Sequence, residues 1–145
     1  MPFPYRDPKQ AEPFALGYFE RLRDSDDICK TWLGLDAIVQ LRIQEPDIAV
    51  FVDTRGGREM RIGPGLAAEA PDLTLTLTAD SFHDIYTGQL NVFTAFATRR
   101  VRAEGNAALI MKTAWTLPQA IQVYREHCAA AGLPEQEPKA ARPEA

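Results

Sequence analysis

The hydrophobic positions change period several times along the chain, and each change predicts an element. Phe14, Tyr18 and Leu22 recur at i, i+4 and i+8 with Phe19 beside them, an amphipathic helix that tolerates Pro13 in its first turn. Residues 1–12, with prolines at positions 2, 4 and 8, read as an irregular arm. Ser25 or Asp26 caps a short second helix carrying Ile28, Trp32 and Leu33 and closed by Gly34. The period then drops to two. Val39, Leu41 and Ile43 alternate with Gln40, Arg42 and Gln44, a strand with one buried face. Pro46-Asp47 turns the chain into residues 48–52, which are apolar on both faces. Gly56-Gly57 signals a hairpin into a short strand with Met60 and Ile62, ended by Gly63-Pro64-Gly65. The clearest strand follows, with Leu73, Leu75 and Leu77 alternating with Thr74, Thr76 and Thr78.

Helical spacing returns after residue 78. Thr78 or Asp80 caps a helix bearing Phe82, Ile85 and Tyr86 and ended by Gly88, and Asn91 caps another with Phe93 and Phe96. Val101 and Ala103 alternate with Arg100, Arg102 and Glu104 in a short edge strand stopped by Gly105, and Asn106 caps a helical turn through Lys112. Thr116, three residues before Gln119, predicts a capping box. The final helix carries Leu117, Ile121, Tyr124 and Cys128 on one stripe and stops at Gly132 and Pro134. Strands segregated from helices predict an α+β domain, with helices on one sheet face and the other face polar and wet. The expected organisation is an arm over 1–12, one domain over 13–132, and a flexible Pro-, Glu- and Ala-rich tail over 133–145.

Composition narrows the function. With 145 residues the chain is the size of one ordinary domain. Its net charge of −4 opposes nucleic-acid binding, which needs a basic face. Cys29 and Cys128 match no paired metal-ligand spacing and read as free thiols of a reducing cytoplasm. No apolar run approaches the roughly 20 residues of a membrane span, and the proline-rich start is no signal peptide. Twelve arginines against four lysines hint at a bacterial genome rich in G and C. The expected location is therefore the cytoplasm.

Candidate chemistry is sparse. Gly56-Gly57 and Gly63-x-Gly65 lack the lysine and following helix of a phosphate loop. His83 and His127 stand apart and read as surface or internally satisfied side chains, and the cysteines read as packing on apolar stripes. No catalytic set, metal site or cofactor is expected, so the chain reads as a non-enzyme. What stands out is an apolar excess on short helices: Phe82, Ile85, Tyr86, Leu90, Phe93 and Phe96, then Leu109, Met111, Trp115, Leu117, Ile121 and Tyr124. Such residues either pack as ordinary core or line a lipid cavity where short helices meet over one thin sheet.

Several pieces in order carry a family resemblance. They are the strand Asp72-Leu73-Thr74-Leu75-Thr76-Leu77, then Tyr86-Thr87-Gly88-Gln89-Leu90-Asn91, then Ala95-Phe96. The basic strand Arg100-Val101-Arg102 follows, with Glu104-Gly105-Asn106 leading to Met111-Lys112. Together they resemble the SCP-2 (sterol carrier protein 2) family of small lipid-binding domains, over roughly residues 13–131. The resemblance implies a single five-stranded mixed β-sheet with helices packed on one face and an apolar tunnel between them. It also implies non-catalytic binding or transfer of a sterol, fatty acid, acyl-CoA or other lipid, with transient contact at a membrane surface. The alternative is an accessory module using the same fold with a filled core. Two positions depart from the family. Arg99 stands where glycine is common, so the local turn is expected to differ, and Ala103 stands where a larger aliphatic is common. Arg99, Arg100 and Arg102 either meet a ligand headgroup or protect an edge strand. The final helix, residues 117–131, is expected to act as the lid.

Overall fold

The computed structural model describes residues 2–134. The first helix, α1 (Pro8–Asp24), begins five residues before Pro13, because the Asp7 carboxylate accepts from the Lys9 amide at 2.9 Å and Pro8 occupies the first turn. Pro13 therefore lies inside the helix. This corrects the expected arm over 1–12. Only a short N-terminal stretch is non-helical, and it is docked: Phe3 is 2% exposed, packs edge-on against Phe14 and Phe82, and donates its amide to Asp80 at 2.8 Å. Proline content advertised irregularity there, while the aromatic side chains between the prolines supply the apolar area that fixes the segment.

α2 (Asp26–Leu33) follows and ends at Gly34. The strands are β1 (Ile38–Gln44), β2 (Ile48–Asp53), β3 (Arg61–Pro64), β4 (Leu73–Thr78) and β5 (Val101–Gly105). They form one sheet in the order β3-β2-β1-β4-β5, in which only β1 and β4 run parallel, so the sheet is mixed as expected. The register pairs Val39 with Leu73, Leu41 with Leu75 and Ile43 with Leu77, which puts all six on the inner face beneath the helices. Thr74 and Thr76 point outward, opposite Glu104 and Arg102.

The outer face is not uniformly wet. Gln40 is 2% exposed because the segment after β3 crosses over it. Its amide group donates to Val50 O at 3.2 Å and Gly65 O at 3.0 Å, while Oε1 accepts from the Ala67 amide at 2.8 Å. A buried amide is tolerated once both its ends are satisfied.

The remaining helices are α3 (Ala79–Tyr86), α4 (Val92–Ala97), α5 (Ala108–Ala114) and α6 (Leu117–Ala130). Thr78 caps α3 through Ser81 N, and Asn91 caps α4 through Phe93 N and Thr94 N. The capping box expected at Thr116 does not form. α5 and α6 join almost without interruption, so Thr116 has helical backbone angles and its hydroxyl donates back to Thr113 O at 2.7 Å. Arg99 also departs from expectation: it adopts φ +61°, the left-handed conformation suited to glycine. The turn is held by Arg99 N donating to Phe96 O at 3.1 Å and Arg100 N donating to Ala95 O at 2.8 Å, a Schellman ending of α4. α6 ends similarly, with Leu133 N donating to Cys128 O at 3.0 Å and Leu133 packed on the core, so Leu133 does not belong to the flexible tail expected over 133–145. Residues 135–145 of that tail lie outside the described residues.

Candidate functional site

Leu75 gives the site away. It occupies the middle of β4 on the inner face, between Leu73 at 2% and Leu77 at 6% exposure, yet it is only half-buried. Above it lies a cavity of about 100 Å³. Its floor is the inner sheet face, with Val39, Leu41, Leu73, Leu75, Leu77 and Val101. Phe19 and Leu22 of α1 and Trp32 of α2 close one side. Phe82, Ile85 and Tyr86 of α3 with Val92 and Phe96 of α4 close another. Leu109 and Ile110 of α5 and Leu117 and Ala120 of α6 complete it. Its polar side chains are the half-buried Tyr86, the Trp32 indole, and Thr113 and Thr116, whose hydroxyls donate to Ile110 O at 3.0 Å and Thr113 O at 2.7 Å. Those two donors are already committed to the backbone, which leaves a surface suited to an apolar ligand.

Of the residues expected at the site, Phe82, Ile85, Tyr86, Phe96 and Leu117 line this cavity. Phe93, Met111 and Trp115 do not; they are 51%, 62% and 63% exposed. The cause is helical phase. On α4 the cavity-facing pair is Val92 and Phe96, four apart, which turns Phe93 outward. On α5, Leu109, Ile110 and Thr113 face inward and leave Met111 on the opposite side. Leu90, between α3 and α4, is half-buried against the core without reaching the cavity lining. Ile121 and Tyr124 are buried in α6 but outside the lining. Ala103, the small residue on the inner face of β5, also lies outside it. Phe19, Leu22 and Trp32 were legible as helical stripes and only their partner was missing: the same helices that cover the sheet also wall the cavity.

Tyr124 belongs instead to an aromatic cluster joining α1, α3 and α6. Its ring centroid is 4.8 Å from Tyr18 and 5.9 Å from Phe82, and its hydroxyl lies 2.7 Å from His83 Nδ1. Tyr18 donates to Ala120 O at 2.8 Å, and His127 Nε2 lies 2.8 Å from Phe14 O, so the imidazole donates to that carbonyl. Three hydrogen bonds thus tie α6 to α1 and α3. By contrast α4 and α5 each bury a single side chain, Ala95 and Leu109. Burial keeps the titratable groups of this layer neutral near pH 7. It pushes Tyr86 up to about 12 and Cys128 up to about 11, raises Tyr18 and Tyr124 well above the usual phenol range, and lowers His83.

Residues 19–117 match the model of the SCP-2 sterol transfer family. The fold is shared with sterol carrier protein domain 2 of Helicoverpa armigera (20% identity, 71% of this chain and 81% of that one, TM-score 0.57). It is also shared with the apo form of sterol carrier protein 2 from Yarrowia lipolytica (17% identity, 78% and 91%, TM-score 0.56). Palmitated SCP2L2 from Aedes aegypti is similar at 22% identity, over 69% of this chain and 90% of that one, with a TM-score of 0.50. No curated protein matches the chain. With the five-stranded sheet, its helical cover and the family match spanning most of the sequence, the chain belongs to the SCP-2 sterol transfer family.

Proposed function

We propose that the chain binds an apolar ligand, a sterol, fatty acid, acyl-CoA or other lipid, between the inner sheet face and the helices, and transfers it without chemical change. The observation that carries this reading is the nearly wholly apolar cavity over the half-buried Leu75. Hiding about 300 Å² of acyl chain there gains on the order of 7 kcal/mol before entropic costs. The palmitated state of the Aedes aegypti protein supports a fatty acyl ligand.

At about 100 Å³ the cavity is closed down. Ligand pockets run to roughly 300–1,000 Å³, so loading requires a wall to move. The expected lid, residues 117–131, is the poorer candidate, because α6 is bonded to α1 and α3 and buries Ala120, Ile121, Tyr124 and Cys128. The mobile wall is α4 with α5, whose single buried residues give little resistance to opening. Phe93, Met111 and Trp115 on their outer sides then make transient contact with a membrane surface, where Trp is at home between apolar and wet surroundings. The protein acts in the cytoplasm as a carrier domain that includes the docked N-terminal stretch and α1 from Pro8.

The small cavity favours one other reading, an accessory module whose core is simply filled. Native mass spectrometry of gently purified protein separates the two: the carrier retains a lipid from its expression host and takes up added fatty acid, whereas the filled module does neither.

A further inference from the structure

Leu77 borders a second, polar groove as well as the apolar cavity. This groove, of about 510 Å³, lies where β1 and β4 end and the α4–β5 turn returns. It is lined by Arg99, Arg100 and Arg102 and by the hydroxyl-bearing Thr76, Thr78 and Ser81, and no carboxylate is among its lining residues. Arg100 is fixed, its Nε donating to Ser81 Oγ at 3.1 Å and its guanidinium paired with Asp84 at 3.0 Å. Arg99 and Arg102 have no ion-pair partner among the described residues. Arg42 extends the array, since the register aligns Arg42, Thr76 and Arg102 across β1, β4 and β5.

This concentration of guanidinium groups is local, on a chain whose net charge is −4. Gathering unneutralised cations in one concavity is repulsive until an anion joins them, and guanidinium forks match the oxygens of phosphate in pairs. Arg99 adds a second indication. The backbone conformation at φ +61° would suit glycine better, yet it carries an arginine whose side chain borders the groove.

We propose that this groove is an oxyanion site that takes a phosphate group, carried either on a soluble phosphate ester or as the headgroup of a lipid whose chain reaches the inner-face cavity past Leu77, the residue that borders both. The lipid source rests on the carrier reading above; the groove itself does not.

The test titrates the full chain with four probes: inorganic phosphate, glycerol 3-phosphate, palmitoyl lysophosphatidate below its micelle concentration, and monopalmitoylglycerol. Binding is followed by calorimetry and by the arginine side-chain resonances in NMR. Expected is that Arg102→Ala and Arg99→Gly each weaken the phosphate-bearing probes roughly tenfold or more. Monopalmitoylglycerol binding should be unchanged, and Arg58→Ala, on the β2–β3 connection, should be silent. Arg99→Gly also keeps or raises the thermal midpoint, since glycine accepts the left-handed turn, so lost binding there is not lost folding. Lysophosphatidate binding tighter than both glycerol 3-phosphate and monopalmitoylglycerol assigns the headgroup source; equal binding of lysophosphatidate and glycerol 3-phosphate assigns the soluble ester. Arginine-dependent phosphate binding without any lipid binding supports the groove and overturns the carrier reading. Lipid binding indifferent to both phosphate and the arginine variants overturns the groove and leaves the carrier reading standing.

Discussion

Phe82 and Phe96 both line the cavity, and the account predicts that truncating them has different costs. Phe82 is 0% exposed and packs against Tyr86 at 4.9 Å and Tyr124 at 5.9 Å between ring centroids, so it is ordinary core on all sides but one. Phe82→Ala should cost the full ~3–5 kcal/mol of a buried Phe→Ala change. Phe96 is half-buried on α4, a helix that buries only Ala95, and one side of its ring already faces a void. Less transfer energy is lost there and part of the cavity exists beforehand, so Phe96→Ala should cost about 1–2 kcal/mol. With a urea slope of ~1.5 kcal/mol per M, the midpoints fall by about 1 M for Phe96→Ala and about 2–3 M for Phe82→Ala. A fluorescent fatty acid should bind Phe96→Ala at least as well as the parent, because the chamber is wider and its wall looser. Equal destabilisation by the two substitutions, together with lost ligand binding in Phe96→Ala, would refute the reasoning.

Further outcomes follow from the same geometry. Burial lowers the pKa of His83 and of His127 below the unfolded value of about 6.5, so the unfolded chain takes up protons first. The stability they support is complete above pH ~6.5 and is lost as pH falls toward the folded pKa values, with a slope of at most ~1.4 kcal/mol per pH unit for each histidine. Chemical denaturation between pH 7.5 and 5 checks this, and His83→Gln should flatten the curve; an unchanged slope would show that His83 is not the titrating group. Hydrogen exchange should be faster in α4 and α5 than in α6, and should slow on adding ligand; α6 exchanging faster than α4 and α5 would restore the last helix as the lid.

Much of the sheet was readable because a period of two leaves little freedom once one face is buried. The alternation of Leu73, Leu75 and Leu77 with three threonines set both the register and the inner face of β4. The helices were readable as elements but not in phase. On helices of fewer than three turns, as with α4 and α5, apolar identity and an i, i+3 spacing do not tell which side meets the core, so Phe93, Met111 and Trp115 read inward yet lie outside. The failure at Thr116 has a different origin: a capping box needs an extended residue before the helix, and the sequence does not reveal that α5 delivers the chain already helical. At Arg99 the backbone geometry prevailed over side-chain preference, because the two hydrogen bonds closing α4 form only with a left-handed residue there.

The central claim is that ligand occupies the space above Leu75, and one substitution tests it most directly. Leu75→Trp fills that space from the sheet side and leaves the sequences of α4 and α5 and the groove arginines unaltered. Fluorescent fatty-acid titration of the parent should give saturable one-to-one binding, and Leu75→Trp should abolish it while circular dichroism and the cooperative unfolding transition are retained. Undiminished binding in a folded Leu75→Trp, or no binding by the parent, would contradict the account.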